Sequence, residues 1–295
     1  MKIQWYPGHM AKTRREIHET VKMVDVVIEL LDARIPLSSR NPDLDSMISG
    51  KPKLVLLNKS DLAEDGITSA WIKYFKTQGA SALAIDSITG KNINKVYQMA
   101  KEPVKEKFDR KAERGIVGRP VRALVAGIPN VGKSSFINKI SSRAGTKTGD
   151  KPGVTRSKQW IKVNKEFELL DTPGILWPRF DDEMVGLHLA YTRAIKDEIL
   201  DPEELSTRLL EELAILKPQT ILERYKVEAG GTGLEMLKKI GSRRGCIISG
   251  GEIDTLRAAG IVLDDYRSGK LGKITLELPP KEETGEGEEN GEDKH

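Results

Sequence analysis

GIPNVGKS (127–134) matches the pattern G-x-x-x-x-G-K-[ST]. It stands between an apolar, strand-like run, VRALVA (121–126), and a helix-forming run, SSFINKI (134–140). That context gives the pattern a physical meaning. Gly127 and Gly132 let backbone N–H groups converge on phosphate oxygens without a Cβ in the way. The helix N-terminus adds partial positive charge. Lys133 supplies a point charge for β- and γ-phosphates, and the Ser134 hydroxyl suits Mg²⁺, which takes oxygen ligands. A chance glycine-rich turn would have no reason to carry both flanks.

Downstream, EFELLD (166–171) reads as a strand ending in DTPG (171–174). Asp171 is placed to hold Mg²⁺, and Gly174 to present its N–H to a γ-phosphate. Between the two motifs lies KPGVTR (151–156), whose Thr155 is the candidate for a second Mg²⁺-binding hydroxyl. Upstream, NKSD (58–61) closes the apolar run KLVLL (53–57). The Asp61 carboxylate can accept hydrogen bonds from guanine N1–H and its exocyclic amine. Adenine lacks that amine and would leave the carboxylate unpaired, which gives guanine selectivity. Asn58 is expected to bond the base edge, and the stem of Lys59 to lie over its face. AIDSITG (84–90) follows another strand-like run, and a backbone N–H near Ser87 is expected to reach guanine O6.

Further runs, VVIELLDAR (26–34) and LAI (83–85), alternate with helical stretches such as 67–77. This alternation predicts an α/β fold with a mainly parallel sheet. The charged stretch 101–120 reads as a connector. From 181 to 268 the pattern is helical. The expected organisation is a nucleotide-binding domain over 1–178, a small all-helical domain over 179–280 and a disordered acidic tail over 281–295. The chain carries a net charge of +4, and the tail concentrates acidic residues, so the remainder is strongly basic. Such a surface attracts polyanions, nucleic acid above all. The single cysteine, Cys246, excludes an internal disulfide and a cysteine zinc site. The N-terminus has no signal-peptide core, and no apolar run approaches the roughly 20 residues that span a bilayer. A cytoplasmic protein without membrane contact is expected.

Together the motifs resemble those of translation-factor-like GTPases, but in altered order. NKSD and the Ser87 loop precede the P-loop, Thr155 and DTPG, as in the circularly permuted GTPases. WYPGHMAK (5–12), LDAR (31–34), PGVT (152–155) and GGEIDTLRAAGIVLDDYRSGKLGKITLE (250–277) resemble the bacterial ribosome-biogenesis GTPase A family. The fold this implies is α/β, a circularly permuted P-loop GTPase domain followed by a small all-helical domain. The GTP-binding set is then Asn58, Lys59, Asp61, Ser87, Asn130, Val131, Gly132, Lys133, Ser134, Ser135, Thr155 and Gly174. The resemblance implies a monomer that binds a late precursor of the large ribosomal subunit and its rRNA, hydrolyses GTP there and leaves. Lys238, Lys239, Arg243, Arg244, Arg257, Arg267, Lys270 and Lys273 are the candidate rRNA contacts.

Many GTPases place a water-orienting glutamine after the DxxG glycine, whereas this chain has Ile175. Slow intrinsic hydrolysis follows. The family resemblance offers His9 as the missing catalytic group beside Lys133 and Gly174, with particle binding needed to order the site. Asn130 in the P-loop implies K⁺ next to the phosphates. The alternative reading is an RNA-binding assembly scaffold whose site senses GTP or GDP with little turnover. Permutation also leads the chain from DTPG straight into the helical region, so γ-phosphate contacts at Gly174 are expected to set that region's orientation.

Overall fold

The computed structural model describes residues 18–48, 50–114, 119–143, 159–171 and 182–280. Helical residues 18–22 (α1) lead into β1 (Val26–Asp32). There follow α2 (Leu44–Met47), β2 (Lys53–Asn58), α3 (Asp65–Thr77), β3 (Ser81–Ala84), α4 (Ile93–Lys101), α5 (Lys105–Glu113), β4 (Val121–Gly127), α6 (Lys133–Arg143), β5 (Gln159–Lys162) and β6 (Phe167–Asp171). The sheet order is β3-β2-β1-β4-β6-β5, parallel throughout except for the antiparallel β5–β6 pair. Every residue of β1 is buried, as expected of a central parallel strand covered on both faces.

Val26, Ile28 and Leu30 face a large core that contains α4 and α6 through Ile93, Val96, Phe136 and Ile140. Leu31, Val55 and Leu57 face Trp71 and Phe75 of α3 on the other side. The parallel strands all end at one edge of the sheet. Asn58, Gly127 and Asp171 close β2, β4 and β6 there, which is where ligands bind in such sheets.

Among the described residues five α-helices follow: α7 (Glu183–Tyr191), α8 (Pro202–Leu216), α9 (Pro218–Tyr225), α10 (Gly233–Arg243) and α11 (Thr255–Arg267). Their starts are chemically marked. Asp182 and Asp201 accept backbone N–H groups at the N-termini of α7 and α8. Thr232 and Glu235 form a reciprocal capping box on α10, and Asp254 caps α11. Leu187, Leu205, Leu209, Met236, Leu237 and Tyr266 extend the same core that begins at the sheet.

After α11 the chain returns to the sheet edge. Ile274 N–H donates to Leu62 O at 3.0 Å and Leu276 N–H to Arg34 O at 2.8 Å. Trp71 Nε1 donates to Glu277 O at 2.9 Å. The helical segment is thus tied back to the base-motif side of the sheet by its own C-terminal strap.

Three expectations are adjusted. β5, absent from the strand-like runs read in the sequence, is an edge strand of four residues, too short to announce a period. The third strand lies at Ser81–Ala84, slightly before LAI. The connector 101–120 is helical over most of its described length, through a 3₁₀ turn (Glu102–Val104) and α5. The boundary near 178 and the tail 281–295 lie outside the described residues.

Candidate functional site

The P-loop is the turn from β4 into α6. Gly132 has φ +101°, and a Cβ there would overlap Asn58 Nδ2. A Cβ on Gly127 would sit 2.8 Å from Leu30 O. Glycine at these two positions lets the loop close onto its neighbours. Lys133 is buried, with Nζ donating to Gly127 O (3.1 Å) and Ile128 O (3.2 Å). Burial pushes its ammonium down to about 8, partly opposed by the nearby Asp171 carboxylate. A phosphate placed beside this lysine would favour its charged form. Val131 is buried, Ser134 half-buried and Ser135 exposed at the start of α6.

Asn58 ties the base motif to the P-loop. Its Nδ2 donates to Val131 O at 2.8 Å, while Oδ1 accepts from Ser87 N (3.1 Å) and Ser87 Oγ (2.8 Å). The carboxamide therefore joins two loops and is not turned outward to a base edge. Of the backbone N–H groups near Ser87 expected to reach guanine O6, that of Ser87 itself donates to Asn58. Asp86 holds the next turn by accepting from Ile88 N and Thr89 N. Asp61 is exposed at the rim, open to a ligand.

Lys59 adopts φ +57°, and its Nζ bridges Asp32 Oδ2 (2.9 Å) and Asn130 O (2.9 Å). Burial lowers its pKa, with Asp32 partly opposing. Lys59 is half-buried and Asp32 fully buried. Burial alone would raise the Asp32 pKa, but Arg34 and Lys59 hold the carboxyl far below its ordinary range. Arg34 donates Nε and Nη2 to Asp32 at 2.9 and 2.8 Å and lies 5.2 Å from the Tyr266 ring of α11.

Asp171 is buried at the end of β6, opposite Val125 on β4. With the Ser134 hydroxyl it offers hard oxygen donors beside the phosphate lysine, a set that fits Mg²⁺. His9, Thr155 and Gly174 lie outside the described residues.

The basic residues of the helical region separate into two groups. Lys238, Lys239, Arg243, Arg244 and Arg257 are exposed on α10 and the start of α11. Arg267 is instead turned inward: it donates to Tyr191 O (2.9 Å) and Ala190 O (3.0 Å) and pairs with Asp197 (2.8 Å). An inward guanidinium with these partners departs from the expected rRNA contact. Lys270 lies 3.6 Å from Asp265, and Lys273 2.7 Å from Asp65, both still largely exposed. Arg34, Lys59, Asn130, Arg193, Arg267 and Lys270 share a cleft of about 500 Å³ where the P-loop meets the helices.

Sequence reasoning did not single out Asp32, Arg193, Asp197, His188 or Glu277. His188 is held between Glu212 (Nε2, 2.8 Å) and Glu277 (Nδ1, 2.8 Å), while Glu277 also accepts from Leu37 N at 2.6 Å and from Ser38 Oγ. Burial alone would lower the imidazole pKa, but its two carboxylate partners push it up to about 9. No motif marks these residues: His188 and Glu277 find partners distant in sequence, and the short-range pairs Asp32–Arg34 and Arg193–Asp197 look like ordinary local ion pairs.

A phosphate loop at one strand end and a guanine motif tied to it from an earlier strand define a P-loop GTPase in permuted order. The comparisons agree. A family described as "50S ribosome-binding GTPase" matches residues 122–221. "Ribosome biogenesis GTPase A" of Bacillus cereus is 51% identical over 97% of this chain and 96% of its own length. The protein of the same name from Bacillus pumilus is 48% identical over 95% of this chain and 99% of its own. Among solved structures, GNP-bound YlqF from Thermotoga maritima aligns with TM-score 0.64 at 25% identity, covering 92% of this chain and 99% of that one. A GDP-bound YlqF structure gives TM-score 0.66 at 25% identity, with coverage of 90% and 99%. This chain belongs to the ribosome biogenesis GTPase A family: it is a GTP hydrolase with a role in ribosome assembly.

Proposed function

We propose that this GTPase binds a late precursor of the large ribosomal subunit through rRNA and is released after particle-stimulated GTP hydrolysis. The observation that carries the reading is the junction of Asn58 with Val131 and Ser87, which closes a guanine and phosphate site in one place. The exposed Lys238, Lys239, Arg243, Arg244 and Arg257 supply a face for RNA phosphates. In this reading Lys133 meets the β- and γ-phosphates, Asp61 selects guanine, and Ser134, Asp171 and Thr155 hold Mg²⁺, which offsets phosphate charge. Gly174 senses the γ-phosphate. Asn130 keeps its carboxamide oxygen for K⁺, since its Nδ2 donates elsewhere. The protein acts as a cytoplasmic monomer. Among the described residues no helix is long and apolar enough to cross a membrane.

Ile175 cannot orient water, so turnover alone is slow and His9 takes that role once the particle orders it. A second reading is favoured by Ile175 itself: an RNA-binding scaffold that senses GTP or GDP with little turnover. GTP hydrolysis measured with and without large-subunit particles, in KCl and in NaCl, separates them. Particle stimulation that is greater in KCl supports the first reading. Absence of turnover under all four conditions leaves the scaffold. Equal rates in the two salts remove the K⁺ site.

A further inference from the structure

Arg267 satisfies the C-terminal end of α7. Its Nε and Nη2 donate to the Tyr191 and Ala190 carbonyls of the last turn, where Ala190 O also accepts the Arg193 N–H at 3.0 Å. Its Nη1 and Nη2 also reach both oxygens of Asp197, at 3.1 and 2.8 Å. Asp197 Oδ2 in turn accepts Arg193 Nε at 2.8 Å. The turn between α7 and Asp197 is therefore clamped from α11. It has to be held, because Arg193 sits at φ +64°, a left-handed conformation that costs a residue with a side chain.

That turn touches the P-loop. The Arg193 carbonyl accepts Asn130 Nδ2 at 2.7 Å, and Asn130 is itself left-handed at φ +57°. The Asn130 carbonyl then receives Lys59 Nζ from the guanine motif. One chain of polar contacts thus runs from α11 through Arg267, Asp197 and Arg193 to Asn130 and Lys59.

We propose that Arg267, with Asp197, is a positioning pair for the nucleotide site: it holds the Arg193 carbonyl against Asn130 and so fixes the P-loop carboxamide. Its guanidinium is turned to carbonyls and a carboxylate of its own chain, with only 12% of the side chain exposed. An RNA phosphate would have to compete with all of these partners. The inference rests on the P-loop being the GTP site.

The test uses the full chain with Mg²⁺. GTP-analogue and GDP affinity, kcat and KM, and binding to purified large-subunit particles are measured for Arg267→Ala, Arg267→Lys, Asn130→Ala and the Arg267→Ala/Asn130→Ala double variant. Expected is a severalfold loss of nucleotide affinity or kcat/KM in Arg267→Ala. Partial recovery is expected in Arg267→Lys, and a double variant no worse than Asn130→Ala alone. The salt dependence of particle binding stays as in the parent. Additive losses, or wild-type nucleotide parameters with weakened, less salt-dependent particle binding, overturn the proposal. If Arg267→Ala does not fold, Asp197→Asn replaces it, and wild-type nucleotide parameters there overturn the proposal equally. Failure of the underlying reading looks different: Lys133→Ala would then bind nucleotide as the parent does.

Discussion

The two ends of α11 carry the same side chain and use it in opposite ways. Arg257, near the N-terminus, projects into solvent beside the basic end of α10. Arg267, at the C-terminus, faces inward to Ala190, Tyr191 and Asp197. The outward end suits a polyanion, since each exposed cation can replace a counterion on a phosphate. The inward end joins the helices to the nucleotide loops. Basic character alone does not distinguish the two, but the partners around each guanidinium do.

Four outcomes sharpen or break this division. The largest belongs to the inward side. Lys133→Ala removes the buried ammonium at the phosphates and should cut GTP hydrolysis by ~100-fold or more. The same variant should leave the salt slope of particle binding unchanged, and a changed slope would blur the two regions. Next comes the outward side. Replacing Lys238, Lys239, Arg243 and Arg244 by Ala should lower particle affinity by about 100-fold at moderate salt and flatten the slope by roughly 0.7–0.9 per lost contact. Thermal stability should fall only slightly, through the lost bond from Arg244 to the Arg224 carbonyl (3.1 Å), because these side chains are exposed; a large drop in melting temperature would place them in the interior.

Third is the strap that returns from α11. His188, between Glu212 of α8 and Glu277 and beside Ser38, has its folded pKa raised to about 9 from 6.5. A raised pKa contributes stability that is fully present below about pH 6.5 and is lost as pH rises through about 9. Thermal unfolding from pH 6 to 10 should show that decline, and His188→Gln should flatten it. An unchanged profile in the variant would remove His188 as its source. The smallest effect is at Lys133, whose ammonium is lowered to about 8 by burial. Phosphate binding favours its charged form, so nucleotide affinity should be level below about pH 8 and fall above it, by at most ~10-fold per pH unit. Proton uptake on binding, measured calorimetrically in two buffers, checks the sign.

Much of the fold was legible in the sequence because the decisive signals are local. A strand, a glycine loop and a helix follow one another over 121–140, and NKSD closes its own strand. Motif order gave the permutation directly. β5 escaped because four residues at an edge carry no usable period. The site was legible as residue types but not as partners. Asn58 has the right position for a base contact, yet its carboxamide is taken by Val131 and Ser87. Arg267 reads as one more surface cation until Ala190 and Tyr191 are brought to it by the packing of α7 on α11. Contacts across 29 to 77 residues of sequence leave no local trace.

On the proposed function, the nucleotide site and the basic helices work as one unit. The direct test is the affinity of the full chain for large-subunit precursor particles, measured with a non-hydrolysable GTP analogue and with GDP at one fixed salt concentration. Coupling predicts tighter binding with the analogue, by about 10-fold for a coupling energy in the usual range. Equal affinities in the two nucleotide states would contradict it.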